Sequence, residues 1–157
     1  MSSPLPELLR EAFGSSVLEA TIAKDAVVLK VAPTQVGAVV ERLKGEFTFD
    51  IMLDVTAVDW PGQAERFEVV WHFYSTQHFV RVRLKTRVTE QDPTVPTLVP
   101  LYGSARYAER ECHEMYGIEF RGNPDLRPIL LYEGFVGHPL RKDYPKQKEQ
   151  PLIPFRQ

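Results

Sequence analysis

The chain has 157 residues, a net charge of −2, 43% hydrophobic residues and 25% charged residues, which is typical of one globular domain without the basic excess of a nucleic-acid binder. Its one cysteine, Cys112, cannot form an internal disulfide or ligate an iron–sulfur cluster alone, since such clusters need about four ligands. The N-terminus lacks the features of a signal peptide, and no stretch approaches the ~18 apolar residues of a membrane span. We therefore expect a cytoplasmic chain that meets a membrane only through partners.

Apolar spacing in the first 45 residues predicts two helices that flank a pair of strands. The first helix carries apolar residues up to Phe13 and stops at Gly14. Residues 17–22 and 26–32 have strand character, with Lys24-Asp25 as the turn. Pro33 opens the second helix, and Gly45 ends it.

Three further strands are predicted from alternating apolar residues, around residues 51–57, 67–73 and 80–87. Every second position of the third strand is basic: Arg81, Arg83, Lys85 and Arg87. This basic face is either solvated or covers an acidic partner. The order α-β-β-α-β-β-β indicates an α+β fold with a mixed β-sheet covered by helices on one face.

The composition changes near residue 92, because nine of the 13 prolines lie beyond it. One helix is still predicted, over residues 104–116, and Gly117 ends it. Its predicted buried stripe is Ala105, Ala108, Cys112 and Met115.

The last part of the chain, residues 121–157, shows no sustained periodicity but is rich in apolar and aromatic residues. Such a segment cannot bury its side chains or pair its backbone locally. We predict an α+β domain over residues 1–120, followed by a long extended proline-rich C-terminal tail over residues 121–157 that lies on a partner protein. Packing of the tail back onto its own domain is the alternative.

Two polar clusters are candidate sites. The cluster on the last helix contains Glu109, Arg110, Glu111, His113 and Glu114. Arg110 and Glu114 are four residues apart and can pair on one helix face. A metal or acid–base site is disfavoured because no second histidine lies three or four residues from His113. The cluster therefore favours a salt-bridged, solvated or partner-facing side.

The second cluster lies in the tail at residues 137–145, where His138 and Asp143 accompany Arg141 and Lys142. No nucleophile, P-loop or dinucleotide-binding motif accompanies them. Charge-assisted hydrogen bonds to a neighbouring subunit are the favoured interpretation.

The stretch from residue 109 to residue 145 resembles the defining region of one family, the C-type subunits of the proton-pumping NADH:quinone oxidoreductase (respiratory complex I). The matching motifs are Glu109-Arg110-Glu111, Tyr116-Gly117-Ile118-Glu119-Phe120, Gly122-Asn123-Pro124-Asp125-Leu126-Arg127, Ile129-Leu130 and the run from Gly137 to Pro145. With a looser likeness over the upstream strands, including residues 54–59, the resemblance covers about two thirds of the chain. The chain departs from the family pattern at Glu114, Asn123 and Pro128.

The resemblance implies a non-catalytic structural subunit of the peripheral arm, on the cytoplasmic side of the cell (inner) membrane. The partners it implies are the large quinone-site subunit and neighbouring iron–sulfur subunits. FMN and the iron–sulfur clusters would belong to partner subunits, with no cofactor bound by this chain. The predicted partner-binding residues are Glu109, Arg110, Glu111, Arg127, His138, Arg141, Lys142, Asp143 and Tyr144.

Three alternatives stay open. The first is the equivalent small subunit of a membrane-bound hydrogenase or formate hydrogenlyase, which shares this module. The second is a freestanding enzyme that uses His138, Asp143 or Cys112. The third is a nucleic-acid-binding module that uses the basic strand face, for which binding would depend steeply on salt.

Overall fold

The computed structural model describes residues 5–24, 26–148 and 150. The predicted turn residue Asp25 and residues 151–157 of the predicted tail lie outside the described residues. The helices are α1 (Leu5–Phe13), α2 (Val36–Gly45) and α3 (Ala105–Tyr116). The strands are β1 (Glu19–Ala23), β2 (Ala26–Lys30), β3 (Ile51–Asp59), β4 (Phe67–Ser75), β5 (Val80–Val88), β6 (Thr94–Pro96) and β7 (Glu119–Arg121).

The five long strands form one mixed sheet in the order β1-β2-β5-β4-β3. Only β2 and β5 are parallel neighbours in it, and the other three pairings are antiparallel. This confirms the predicted α+β fold with a mixed sheet. The parallel pair of β6 and β7 was not predicted, because three residues are too few to show a strand period.

The helices cover one face of the sheet. Along β4, the side chains of Phe67, Val69, Trp71 and Phe73 are fully buried, and they join one core cluster with residues from all three helices. Each such large side chain contributes about 1.5–3 kcal/mol of burial free energy. The alternate residues of β5 lie on the opposite face, as the basic pattern predicted.

Helix α3 differs from its predicted buried stripe. Ala105 and Cys112 are buried as expected, whereas Ala108 and Met115 are only partly buried. Two carboxylates are buried instead, Glu109 and Glu114. A buried carboxylate must be hydrogen-bonded. The donors lie in segments outside α3, so the apolar spacing of the helix could not predict that these carboxylates are buried.

Beyond β7, residues 122–148 form turns and irregular structure, without a helix or strand. This agrees with the proline punctuation. Arg121, placed in the predicted tail, belongs to β7. The division of the chain into two units at residue 120 stays a prediction.

Candidate partner-binding surface

Glu109 joins three segments at the start of the tail. Its side chain is fully buried. One carboxylate oxygen accepts from the Leu98 amide at 2.7 Å, and the other accepts from Thr97 Oγ1 at 2.6 Å and Asn123 Nδ2 at 2.8 Å. Burial raises the pKa of Glu109, and these hydrogen bonds offset only part of that rise. Glu109 therefore fixes the segment after β6 and the segment after β7 against α3.

Glu109→Gln will destabilise the domain by about 1–3 kcal/mol, because an amide group would face donors that need an acceptor. Both carboxylate oxygens accept hydrogen bonds, so neither orientation of a glutamine satisfies every donor. Chemical denaturation of the purified chain measures the loss. Glu111→Gln on the exposed side of the same helix is the control and should change little. Equal stability of the two variants would contradict the assigned role.

Glu114 and Arg110 hold the backbone of the tail. The carboxylate of Glu114 accepts from the amides of Ile129, Leu130 and Leu131 at 3.1, 2.8 and 3.2 Å. The guanidinium of Arg110 donates to the carbonyl oxygens of Arg127 and Pro128 at 2.8 and 2.9 Å. The expected pairing of Arg110 with Glu114 is therefore wrong, because unpaired backbone groups of the tail compete for both side chains.

The second part of the tail completes the end of α3. A helix leaves its last carbonyl groups without intrahelical partners. His138 Nδ1 donates to the Glu114 carbonyl at 2.9 Å, and Arg141 Nε donates to the Tyr116 carbonyl at 2.6 Å. The Leu140 amide donates to the Met115 carbonyl at 3.2 Å.

The charge of Arg141 and the neutral form of His138 are both favourable at the C-terminal end of α3. A cation such as Arg141 is stabilised near the negative end of the helix dipole. Desolvation, together with the charge of Arg141, lowers the pKa of His138, which favours the neutral ring.

A buried ion pair anchors the far end of the tail. Asp59 and Arg66 form two hydrogen bonds of 2.8 and 2.9 Å across the β3–β4 hairpin, and the Asp59 side chain has no exposed surface. The same carboxylate accepts from the Lys142 amide at 2.8 Å. Asp143 lies 3.0 Å from the Arg66 guanidinium, and Glu90 lies 2.8 Å from it.

Sequence reasoning assigned no role to Asp59, Arg66 or Glu90. The signal that could have found Asp59 was its place in the strand that resembles the family, residues 54–59. Its partner could not be named from the sequence, since the pairing depends on the hairpin. We call the groups that tie the tail down the tail clasp: Arg66, Arg110, Glu114, His138, Arg141 and Asp143.

The nine predicted partner-binding residues thus occupy different settings. Glu109, Arg110, His138, Arg141, Lys142 and Asp143 make hydrogen bonds or ion pairs within this chain. Arg127 pairs with Asp125 on the surface, Tyr144 stacks on Phe135 with ring centroids 6.1 Å apart, and Glu111 is exposed. Their contact with a partner stays a prediction.

The tail clasp leaves large apolar side chains of the tail facing outwards. Leu130, Val136 and Leu140 are 63%, 66% and 50% exposed. Ile129 and Tyr132 are also exposed. We call these five residues the tail apolar surface. Exposed apolar side chains that are concentrated in one segment of the chain can form a protein–protein interaction site.

The candidate nucleophile and acid–base residues lie in structural settings. Cys112 is 2% exposed, and burial raises the pKa of its thiol well above the ordinary value, so the reactive thiolate is disfavoured. His138 and Asp143 contact different groups. Among the residues that the structure describes, no group of three or more histidine, cysteine, aspartate or glutamate side chains is placed to hold a metal ion. No described helix has both the length and the apolar character needed to cross a membrane.

Comparison with known proteins gives one consistent family. Residues 29–150 match the family described as respiratory-chain NADH dehydrogenase, 30 Kd subunit. The C-type subunit of NADH-quinone oxidoreductase from Geotalea uraniireducens is 42% identical over 139 residues, which cover 88% of this chain and 85% of that protein. These matches agree with the resemblance that the sequence motifs carry.

Two solved structures share the fold. The trypsin-resistant fragment (1-134) of Nqo5 superposes with a TM-score of 0.69 at 26% identity, and the match covers 79% of this chain and 100% of the fragment. A chain of the membrane-bound sulfane sulfur reductase, an archaeal respiratory membrane complex, superposes with a TM-score of 0.80 at 24% identity over 91% of this chain and 85% of that one. At that identity, the second likeness shows the fold alone.

Proposed function

Because this chain belongs to the family of the 30 kDa subunit of respiratory-chain NADH dehydrogenase, we propose that it is a structural subunit of NADH:quinone oxidoreductase. In this role it sits in the peripheral arm on the cytoplasmic side of the cell (inner) membrane and carries no catalytic site. Electrons pass from NADH through FMN and iron–sulfur clusters of other subunits to quinone, coupled to proton translocation. This chain holds the large quinone-site subunit and the neighbouring iron–sulfur subunits in their relative positions.

The observation that carries the proposal is the combination of a tied-down backbone with outward-facing apolar side chains in the tail. Glu114 and Arg110 bond five backbone groups of residues 127–131, while Leu130 stays 63% exposed. An ordered segment loses less conformational entropy on binding than a flexible one. The tail apolar surface is therefore prepared to bind a partner subunit.

The tail clasp gives this surface its shape without being the surface itself. His138 Nδ1 and Arg141 Nε donate to carbonyl groups at the end of α3, so these two nitrogen atoms are already hydrogen-bonded before any partner binds. The predicted partner-binding role of these residues then becomes indirect, because they position the apolar side chains between them. Glu111, Arg127 and Tyr144 remain proposed as direct contacts.

Leu130→Asp combined with Val136→Asp will strongly weaken assembly while the chain stays folded. Both side chains are more than half exposed, so the domain loses little burial, whereas the partner interface would bury two charges. We expect at least about a tenfold loss of co-purifying subunits, corresponding to about 1.4 kcal/mol. The measurement is affinity purification of the tagged chain from mildly solubilised membranes, with NADH:quinone activity assayed in the eluate.

Leu8→Asp is the matched control for this experiment, because Leu8 is a 51% exposed apolar residue on α1 and is not part of the tail. It should assemble normally. Normal assembly of the double variant would contradict the proposed surface. Removing residues 137–157 is a less specific test. It would also remove the ion pair between Asp143 and Arg66 and the two side chains that donate to the end of α3.

The hydrogenase-type alternative is decided by the same purification. The shared fold with a respiratory membrane complex shows that this scaffold occurs in more than one kind of assembly. Flavin- and cluster-bearing subunits with NADH:quinone activity would support the proposed function. A nickel-hydrogenase large subunit in the eluate would support the alternative.

A further inference from the structure

The face of the sheet opposite the helices is a second surface that no described helix covers. The register of β2, β5 and β4 places Arg83 between Val28 and His72, and Lys85 between Lys30 and Val70. Val28 and Val70 are buried, yet they lie outside the core cluster that the three helices share. Long basic side chains therefore cover them with their aliphatic stems. We call this surface the open sheet face.

Most of the charges on the open sheet face are already compensated. Lys85 and Arg87 lie 2.8 and 3.3 Å from the carboxylate of Glu68, and Lys30 lies 2.5 Å from Glu19. The basic strand face is thus less positive than its sequence pattern indicates.

Arg83, in the middle of the face, is different. Its Nε is buried without a hydrogen-bond partner, and within the described part of the chain its guanidinium has no carboxylate within ion-pair distance. His72 lies directly opposite on β4. Desolvation lowers the pKa of His72, and the positive charge of Arg83 lowers it further. Asp54, opposite His72 on β3, accepts from the Val55 amide. The centre of the open sheet face therefore holds a half-buried cation to which residues 5–24, 26–148 and 150 supply no counter-ion.

A carboxylate from outside the chain matches the charge of Arg83. The two terminal nitrogens of a guanidinium can bind a carboxylate through two hydrogen bonds, and a half-buried charge without a counter-ion is unfavourable. We propose that the open sheet face docks a segment of another subunit that presents one aspartate or glutamate to Arg83. The inference rests on the proposed function, since it takes its partner from the same complex.

A polypeptide fits this face better than a nucleic acid does. A phosphate backbone would meet the carboxylates of Glu68 and Glu19 beside the lysines. Bases would need free aromatic faces for stacking. Arginine side chains already lie over the rings of Tyr74 and Trp60 near this face, with Arg81 at 5.9 Å from the Tyr74 ring and Arg87 at 5.3 Å from the Trp60 ring. One carboxylate placed at Arg83 satisfies the uncompensated charge without displacing these contacts.

A zero-length cross-link in the intact complex tests the proposal directly. Arg83→Lys places an amine at the centre of the face, and a carbodiimide joins an amine only to a carboxylate in contact with it. After digestion and mass spectrometry, we expect position 83 joined to an aspartate or glutamate of another subunit, with the yield falling at high salt. Arg10→Lys is the matched control, because Arg10 is exposed on α1, on the helical side of the sheet. It should give no such cross-link.

A charge reversal supplies the second measurement. Arg83→Glu should weaken retention of the partner by about thirtyfold, as expected for loss of a desolvated charge pair, whereas Arg10→Glu should leave retention unchanged. The thermal midpoint of each purified variant shows whether it is folded.

The outcomes separate this inference from the proposed function. A complex that assembles normally but links position 83 only to Asp54, or to nothing, overturns the docking surface and leaves the proposed function standing. Recovery of nucleic acid on the same face would also overturn it. A chain that co-purifies with no other subunit would overturn the proposed function itself.

Discussion

Arg66→Ala will lower the free energy of unfolding by about 3–5 kcal/mol, because it leaves the Asp59 carboxylate buried without its ion-pair partner. The two side chains are 9% and 0% exposed and share two hydrogen bonds. Asp143 and Glu90 lose the same partner, but they are 60% and 46% exposed and return to water. Urea denaturation of the purified chain at neutral pH measures the effect.

The effect should depend on pH with a defined sign. The hydrogen bonds of Arg66 hold the pKa of Asp59 below its usual range, and the Lys142 amide adds to the effect. A carboxyl with a depressed pKa in the folded state contributes stability above its unfolded pKa, about 3.9, and loses it as the pH falls through the folded value. The difference between Arg66→Ala and the unchanged chain should therefore shrink below about pH 4.

Arg127→Ala is the matched control for this loss. Arg127 also makes two hydrogen bonds to one aspartate, Asp125, but its side chain is 82% exposed. Surface ion pairs contribute little, so this variant should unfold almost as the unchanged chain does. Equal losses of unfolding free energy for Arg66→Ala and Arg127→Ala would show that burial does not determine how much the Asp59–Arg66 pair contributes to stability.

Gly117→Ala will destabilise the chain by about 2–4 kcal/mol and release the second half of the tail. Gly117 ends α3 with a φ of +78°, and an L-residue in that conformation costs about 1–2 kcal/mol. A Cβ there would also lie 2.5 Å from Arg141 Nη2 and 2.7 Å from His138 Nε2. Both side chains would have to leave the carbonyl groups that they bind, at about 1 kcal/mol for each hydrogen bond.

Hydrogen exchange separates the two consequences of this substitution. Release of the tail clasp should speed exchange at the Leu140 amide, which donates to Met115, more than at the amides inside β4. Gly37→Ala in the first turn of α2 is the control, since a Cβ there meets nothing within 4 Å. A Gly117→Ala chain with unchanged exchange at Leu140 would contradict the tail clasp.

The hydrogen bonds of the tail clasp explain how the tail can lack helix and strand and still be ordered. Without helix or strand pairing, the backbone groups of residues 127–131 still need partners, and the side chains of Arg110 and Glu114 supply them. His138 and Arg141 hold the second half of the tail by donating to carbonyl groups at the end of α3. The apolar side chains then have a defined direction. Loss of the tail clasp should weaken assembly through the tail apolar surface even where the domain remains folded.

The elements of the domain could be predicted closely from the sequence. Apolar spacing predicts a helix over residues 104–116, and α3 spans Ala105–Tyr116; the three long strands after α2 begin where alternation begins. Such periodicity is a local property, because a strand or helix that packs against one core must repeat its apolar residues at its own period. The family was likewise visible in the motifs between residues 109 and 145, and the comparisons confirm it.

The role of each polar residue could not be predicted in this way. Arg110 and Glu114 satisfy the spacing of a helical ion pair, yet each binds the backbone of the tail. Asp59 and Arg66 stand seven residues apart on two sides of a hairpin, and only its closure brings them together beneath residue 142. Arg83 looks like its basic neighbours in the sequence, but the strand register shows that the described residues provide a carboxylate to Lys85 and Arg87 and none to Arg83.

Local spacing and ordered motifs were therefore enough to identify the family, the helices, the five strands of the main sheet and the basic face of β5. Only the folded chain shows which carboxylates are buried, which charges compensate each other, and that the tail motif binds its own domain at the end of α3. The physical reason is that a polar group takes whichever partner relieves its desolvation best. That partner is set by the packing of distant segments, not by neighbours in the chain.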